Sequence, residues 1–92
     1  MSALAGSAVP RLLPGMRLRR DLVRDQWVLL APERVIELDD IAYEVVSRID
    51  GVRSVDALVD ILAAEFDADR AQVAADVLDL LDDLVAKRVL GA

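Results

Sequence analysis

Three short apolar runs in the first half of the chain have the spacing of β-strands. Met16–Arg19 alternates apolar and polar residues, which is the period of a half-buried strand. Trp27–Leu30 and Val35–Leu38 are rich in apolar residues that favour strands. Between these two runs, Ala31–Arg34 carries a proline at the second position of a predicted type I turn. The pattern predicts a three-stranded antiparallel meander over residues 16–38.

After residue 38 the apolar positions recur every three to four residues, which is the period of an α-helix. Asp39 is the predicted N-cap of a first helix, which ends at a predicted break at Asp50–Gly51. Ser54 is the predicted N-cap of a second helix. Asp69, with Gln72 three residues later, predicts a capping box that opens a third helix, the longest of the three.

Strands followed by helices place the chain in the α+β class. The third helix is predicted to run to about Lys87, and Val89–Leu90 is predicted as either a short closing strand or a packed tail. Residues 1–13 end at a Pro-Gly turn and are expected to form a flexible tail, which leaves residues 14–92 as one domain.

The third predicted helix has a wide apolar surface. One stripe consists of Val73, Val77, Leu80 and Leu84, and the adjacent stripe of Ala74, Leu78, Leu81 and Val85. Together they cover an arc of roughly 160°, whereas a surface helix typically needs about 100° to face a core. Two interpretations remain open. Either the domain packs on both stripes, or one stripe faces the core and the other lines an open groove.

The predicted strand Val35–Leu38 is suited to pairing with another polypeptide. It contains neither Lys nor Pro, which commonly protect the edge of a sheet. A strand added at this edge, beside an apolar helix stripe, would lie in a cleft that fits an extended peptide. The alternative is that the N-terminal tail or a second copy of the chain covers this edge.

Composition excludes several kinds of chemistry. The chain contains no Cys and no His, so disulfides, thiolate nucleophiles, imidazole bases and most zinc sites are excluded. A secreted domain of this size often carries disulfides, so their absence favours the cytoplasm. No apolar run approaches the roughly 20 residues of a membrane span, and a membrane is not expected as a partner.

The net charge of −6 is unevenly distributed along the chain. Six basic and four acidic residues precede Asp39, whereas five basic and thirteen acidic residues follow from that position onward. Nucleic acid is therefore not expected as a partner, because phosphates require a basic surface. The carboxylates opposite the apolar arc are interpreted as a solvated face, since catalytic carboxylates usually need burial or a close partner. These carboxylates are Asp76, Asp79, Asp82 and Asp83. No catalytic or metal-binding residue is predicted.

Several segments resemble one known family over about residues 13–90. Trp27–Asp39 looks like the signature stretch of the PqqD family of pyrroloquinoline quinone (PQQ) biosynthesis, and Pro14–Leu18 resembles its usual opening. The break at Asp50–Gly51, the second helix led by Ser54 and the closing Lys87–Leu90 are also similar. The Trp-to-Asp stretch is a specific signal, because its length and its turn residues agree with the family pattern.

The resemblance implies a winged-helix-like fold of three strands and three helices. It also implies a recognition domain for the leader peptides of ribosomally made, modified natural products. Such a protein binds the precursor peptide PqqA and presents it to PqqE, a radical S-adenosylmethionine enzyme with iron–sulfur clusters. It would act as a peptide chaperone and adaptor, without catalytic activity and without a cofactor of its own.

The resemblance also implies where the peptide binds: beside the third strand and against the third helix. Carried onto this chain, the strand residues are Arg34, Val35, Ile36, Glu37 and Leu38, and the helix residues are Ala74, Leu78, Leu81 and Val85. The choice of helix stripe stays open. The alternative functions are a self-associating structural subunit, such as a homodimer, and a winged-helix DNA-binding protein, against which the acidic third helix argues.

Overall fold

The computed structural model describes residues 4–92. In chain order, its strands are β1 (Arg11–Leu12), β2 (Arg17–Asp21), β3 (Gln26–Ala31), β4 (Arg34–Leu38) and β5 (Leu90–Gly91). The helices between β4 and β5 are α1 (Asp40–Val46), α2 (Val55–Glu65) and α3 (Arg70–Ala86). The predicted meander of three strands followed by three helices is confirmed.

The main sheet is antiparallel, in the order β2-β3-β4. Its register aligns Leu18, Leu29 and Ile36 across the three strands on one face. This face packs against the helices, and Leu29 is fully buried. Cross-strand apolar pairs of this kind stabilise a sheet, and they determine which face of β4 turns toward the helices.

The three predicted helix N-caps are confirmed. The side chains of Asp39, Ser54 and Asp69 each accept a hydrogen bond from the backbone N–H three residues later, at 2.7, 3.1 and 3.2 Å. The capping box at α3 is only half formed. The side-chain amide of Gln72 donates to Asp76 at 3.0 Å instead of returning to the cap.

Helix α1 ends earlier than the predicted break at Asp50–Gly51. After Val46 the chain makes tighter bonds to the third residue back, from Arg48 N–H to Val45 and from Ile49 N–H to Val46. The Asp50 side chain then accepts the N–H groups two and three residues ahead. Gly51, with φ of 76°, supplies the left-handed conformation of this turn.

The structure differs from expectation at the predicted flexible tail of residues 1–13. Residues 1–3 lie outside the described residues, and the remainder packs against the domain. β1 pairs with β5, and Pro10 is buried. The carbonyls of Gly6 and Ala8 accept the N–H groups of Asp56 and Val55, each at 2.9 Å. These are unsatisfied donors in the first turn of α2, so the segment completes the cap that Ser54 begins.

Candidate functional site

Strand β4 has one unpaired edge. It is the outermost strand of the main sheet, and among residues 4–92 only β3 pairs with it. The N-terminal segment, one of the two candidate covers, pairs with β5 instead. Val35, near the start of the strand, is 56% exposed. Within the described part of the chain, this edge is open to an added strand, because edge strands present free main-chain donors and acceptors.

The turn before β4 determines which main-chain groups lie on the free edge. Ala31 and Arg34 are paired across a two-residue turn. Residues that flank such a turn form a hydrogen-bonded pair, and hydrogen-bonded and non-hydrogen-bonded pairs alternate along an antiparallel ladder. Val35 and Glu37 occupy the non-hydrogen-bonded positions. Their N–H and C=O groups therefore point away from β3, toward the free edge.

A groove runs between β4 and the carboxyl-terminal end of α3. The guanidinium of Arg34 donates a hydrogen bond to the carbonyl of Lys87, the C-cap of α3. The groove has a volume of about 510 Å³, with residues 34–37 on one wall and Lys87 on the other. On its rim, Nη1 of Arg24 lies 2.9 Å from Oε1 of Glu37. Four of the five β4 residues named from the sequence thus line one groove, and the fifth, Leu38, is buried in the core.

The buried arc of α3 takes residues from both predicted stripes. Val77, Leu81 and Leu84 lie in the core, and Leu81 is 0% exposed. At about 100° per residue these three fall within roughly 60° of one another, so the arc is centred between the two stripes. The prediction for Leu81 is therefore corrected: its side chain lies in the hydrophobic core and is not part of an outer stripe.

Two flanks border this buried arc of α3. The other three residues of the predicted peptide-facing stripe, Ala74, Leu78 and Val85, form the first flank, and Val85 is 39% exposed. Val73 and Leu80 form the second flank and are half-buried. The sequence pattern alone does not distinguish the flanks, because both are apolar.

The second flank faces the side of the fold that carries β4 and α1. Asp76, Leu80 and Lys87 form one row along α3, at intervals of four and seven residues. Lys87, at one end of the row, lines the groove beside β4. Asp76, at the other end, lines an apolar hollow against α1 together with Val73. Leu80 lies between these two features, and it belongs to the predicted stripe that the family resemblance did not assign to the peptide.

The outward surface of α3 is acidic. Asp76, Asp79 and Asp83 are exposed along it. Arg70 is the first residue of α3, and its Nε lies 2.6 Å from Oδ1 of Asp60. This hydrogen bond raises the pKa of Arg70. A recognition helix of this kind would bring carboxylates against DNA phosphates, which opposes binding.

Among residues 4–92, no three acidic side chains lie close enough together to hold a metal ion. The same residues include no helix that is both long and apolar enough to span a membrane.

Comparison with known proteins gives a consistent result. The model of the family described as Coenzyme PQQ synthesis protein D (PqqD) matches residues 26–90. The chain is 57% identical over 90 residues to a PqqA binding protein of Xanthomonas axonopodis pv. citri, an alignment that covers 98% of each chain.

Several solved structures are similar over most of the chain, and two of them are informative here. One is the solution NMR structure of the PqqD truncation of Methylobacterium extorquens PqqCD, a functional, stand-alone recognition element for ribosomally synthesized and post-translationally modified peptides. It has a TM-score of 0.86 and 48% identity, with 99% of this chain and 97% of that chain covered. The other is TbiB1 in complex with the TbiA(beta) leader peptide, with a TM-score of 0.75, 24% identity, and coverage of 89% and 95%. At that identity, the second likeness bears on the fold alone.

Proposed function

Because the chain belongs to the family of coenzyme PQQ synthesis protein D (PqqD), we propose that it binds the ribosomal precursor peptide PqqA and presents it to the radical S-adenosylmethionine enzyme PqqE. One observation carries the proposal. The unpaired edge of β4 lies beside a groove whose other wall is Lys87, the C-cap of α3. In this role the chain is a cytoplasmic adaptor that needs no cofactor of its own.

The peptide would add to β4 as a further antiparallel or parallel strand. Val35 and Glu37 would exchange main-chain hydrogen bonds with it, since their groups point to the free edge. Each such bond contributes about 0.5–1.5 kcal/mol net. Backbone pairing gives affinity with little demand on the peptide sequence, so specificity would come from side-chain contacts in the groove.

The second flank of α3 would supply the apolar part of those contacts. Leu80 and Val73 are half-buried and lie on the side of α3 that carries Lys87. Leu81 would support this surface from within the core. The stripe predicted from the sequence, with Ala74, Leu78 and Val85, lies on the opposite flank, so its part in binding is the competing hypothesis.

The site favours an adaptor over an enzyme. Among residues 4–92, no charged or polar residue is buried, although catalytic groups usually depend on burial to adjust their pKa. The chain would act by ordering a flexible peptide and by raising its effective concentration beside PqqE. The chemistry would then belong entirely to that enzyme.

Two substitutions at Val35 test the pairing directly. Val35→Pro removes the N–H that points to the free edge but keeps three side-chain carbons, whereas Val35→Ala keeps the N–H and removes two of the three. Proline is tolerated on edge strands, so both variants are expected to fold. Synthetic PqqA should bind Val35→Pro about tenfold more weakly than wild type, and Val35→Ala within about threefold of it.

The amide spectrum of labelled protein provides the second readout. Peptide-induced shifts should cluster on residues 34–38 and on α3 in the wild type. Equal affinities of the two Val35 variants, or shifts confined to the β2 edge, would contradict strand addition at β4. If the wild-type spectrum does not change even with a large excess of PqqA, peptide binding itself is refuted, and concentration-dependent sedimentation then tests the self-associating alternative.

A further inference from the structure

An apolar hollow opens among α1, α2 and α3, on the side of the fold where β4 ends. Its volume is about 330 Å³, at the lower end of the roughly 300–1,000 Å³ of pockets that hold small ligands. Seven of its ten lining residues are apolar, and the other three are the acids Asp40, Glu44 and Asp76. Neither Lys nor Arg lines it. The hollow therefore combines an apolar interior with a negatively charged rim.

Two large apolar side chains at this hollow are left in contact with water. Ile41 is 67% exposed and Phe66 is 54% exposed, although each lines the hollow. Beneath them, Leu62 and Val77 are buried. An apolar group that entered the hollow would cover the exposed surface of both side chains, which is favourable because apolar area leaves water.

The hollow continues the proposed peptide track. Asp40 lines the hollow and stands two residues after the end of β4 at Leu38. On the opposite side, Asp76 lies in the same row of α3 as Lys87, which lines the groove beside β4. An extended chain advances about 3.3 Å per residue. A strand paired with β4 therefore reaches the mouth of the hollow within a few residues beyond Leu38.

Only part of the acidic rim is compensated by other side chains. Oε2 of Glu44 lies 2.7 Å from Nη1 of Arg48. Burial lowers the pKa of Arg48, but its hydrogen bonds to Glu44 and Glu65 raise it overall, so the guanidinium stays charged. Within residues 4–92, Asp76 accepts a side-chain hydrogen bond only from the neutral amide of Gln72, and Asp40 forms no ion pair. Asp40 and Asp76 thus remain available to a cation.

From these observations, and resting on the proposed function, we propose that the hollow is a second subsite for the same peptide. Its occupant is one large apolar side chain of the bound peptide that has a Lys or Arg within two residues. The apolar side chain fills the hollow, and the neighbouring cation lies between Asp40 and Asp76. The β4 edge selects for an extended backbone, whereas the hollow selects for this pair of side chains.

The test closes the hollow and then reverses its charge. Ala68 is exposed and lines the hollow, so Ala68→Trp fills it from the surface without changing the core. Asp76→Lys reverses one rim charge. Asp79→Lys is its matched control, because Asp79 is exposed on the same helix but does not line the hollow. Thermal unfolding confirms that each variant is folded before binding is measured.

Each variant is titrated with PqqA and with PqqA peptides in which each large apolar residue near a Lys or Arg is replaced by Ala. Ala68→Trp should weaken PqqA binding by about tenfold or more. It should have no effect on the one peptide that lacks the anchoring side chain. Asp76→Lys should weaken binding about threefold, with the loss reduced at high salt, and Asp79→Lys should leave affinity within about twofold.

The outcomes separate this inference from the proposed function. If Val35→Pro weakens binding while Ala68→Trp does not, peptide binding at β4 stands and the second subsite is refuted. Equal losses for Ala68→Trp with every peptide also refute it. If Ala68→Trp changes sedimentation but not peptide affinity, a second copy of the chain occupies the hollow and the inference is wrong. If wild type binds no PqqA, both proposals fail.

Discussion

Replacement of Leu80 by alanine is expected to weaken peptide binding, whereas the same replacement of Leu78 is not. Both leucines are half-buried, and they lie on opposite flanks of the buried arc of α3. Leu80 shares its flank with Val73 and Lys87, which line the hollow and the groove. The two variants therefore compare the flank indicated by the structure with the flank predicted from the sequence, and the side-chain change is leucine to alanine in both.

The expected magnitude follows from burial. Leucine-to-alanine removes three carbon groups, each worth about 0.8 kcal/mol when fully transferred from water, or about 2.4 kcal/mol in all. Leu80 is already half-buried in the free protein, so the peptide adds roughly half of this. The loss is then about 1 kcal/mol, or about fivefold in Kd. Each variant should also lose about 1–2 kcal/mol of the free energy of unfolding, which leaves a domain of ordinary stability folded.

The assay is calorimetric titration with synthetic PqqA, with urea unfolding as the control for folding. Unfolding is followed by the fluorescence of Trp27, the only tryptophan, which stacks on Tyr43 with ring centroids 4.2 Å apart. If Leu78→Ala weakens binding about fivefold and Leu80→Ala does not, the peptide lies on the other flank and the assignment from the groove residues is refuted.

Three further predictions concern stability. Leu81→Ala should lower the free energy of unfolding by about 3–5 kcal/mol in urea, because Leu81 is fully buried; a loss below about 1 kcal/mol would place it at the surface. Asp69→Ala should cost about 1 kcal/mol in thermal unfolding by removing the cap of α3, and an unchanged melting temperature would contradict that role. Backbone hydrogen bonds from Arg53 and Val52 lower the pKa of Asp50 below its ordinary value of 3.8. Its ionised form therefore stabilises the fold above that value, and the advantage of wild type over Asp50→Asn should vanish as the pH falls through the lowered pKa. A constant difference across that range would contradict the prediction.

Features that depend on local interactions could be predicted from the sequence. The N-caps Asp39, Ser54 and Asp69 form because a short side chain reaches a backbone N–H three residues ahead. The meander could be predicted because its strands are joined by short turns. The half-formed capping box could not, because the Gln72 side chain can either accept from the Asp69 backbone N–H or donate to Asp76, and the sequence does not rank these two bonds.

Features that depend on tertiary packing could not be predicted from the sequence. The apolar arc of α3 is wider than one contact surface, so the pattern alone could not show that Leu81 lies at its centre. The N-terminal segment contains small apolar residues and proline, which are also typical of unstructured tails. Its place is determined by distant partners: the first turn of α2 for Gly6 and Ala8, and β5 for β1. Both sets of partners lie far away in the sequence.

The pairing of β1 with β5 makes the two ends of the described chain depend on each other. Arg11 is the direct partner of Gly91, and Leu12 of Leu90. Removal of β5 would leave β1 without its partner, whereas the segment before β1 would keep its hydrogen bonds to the first turn of α2. Exposed, unpaired segments are the preferred substrates of proteases. Loss of β5 would thus expose β1 to proteases, although the two strands are nearly 80 residues apart in the sequence.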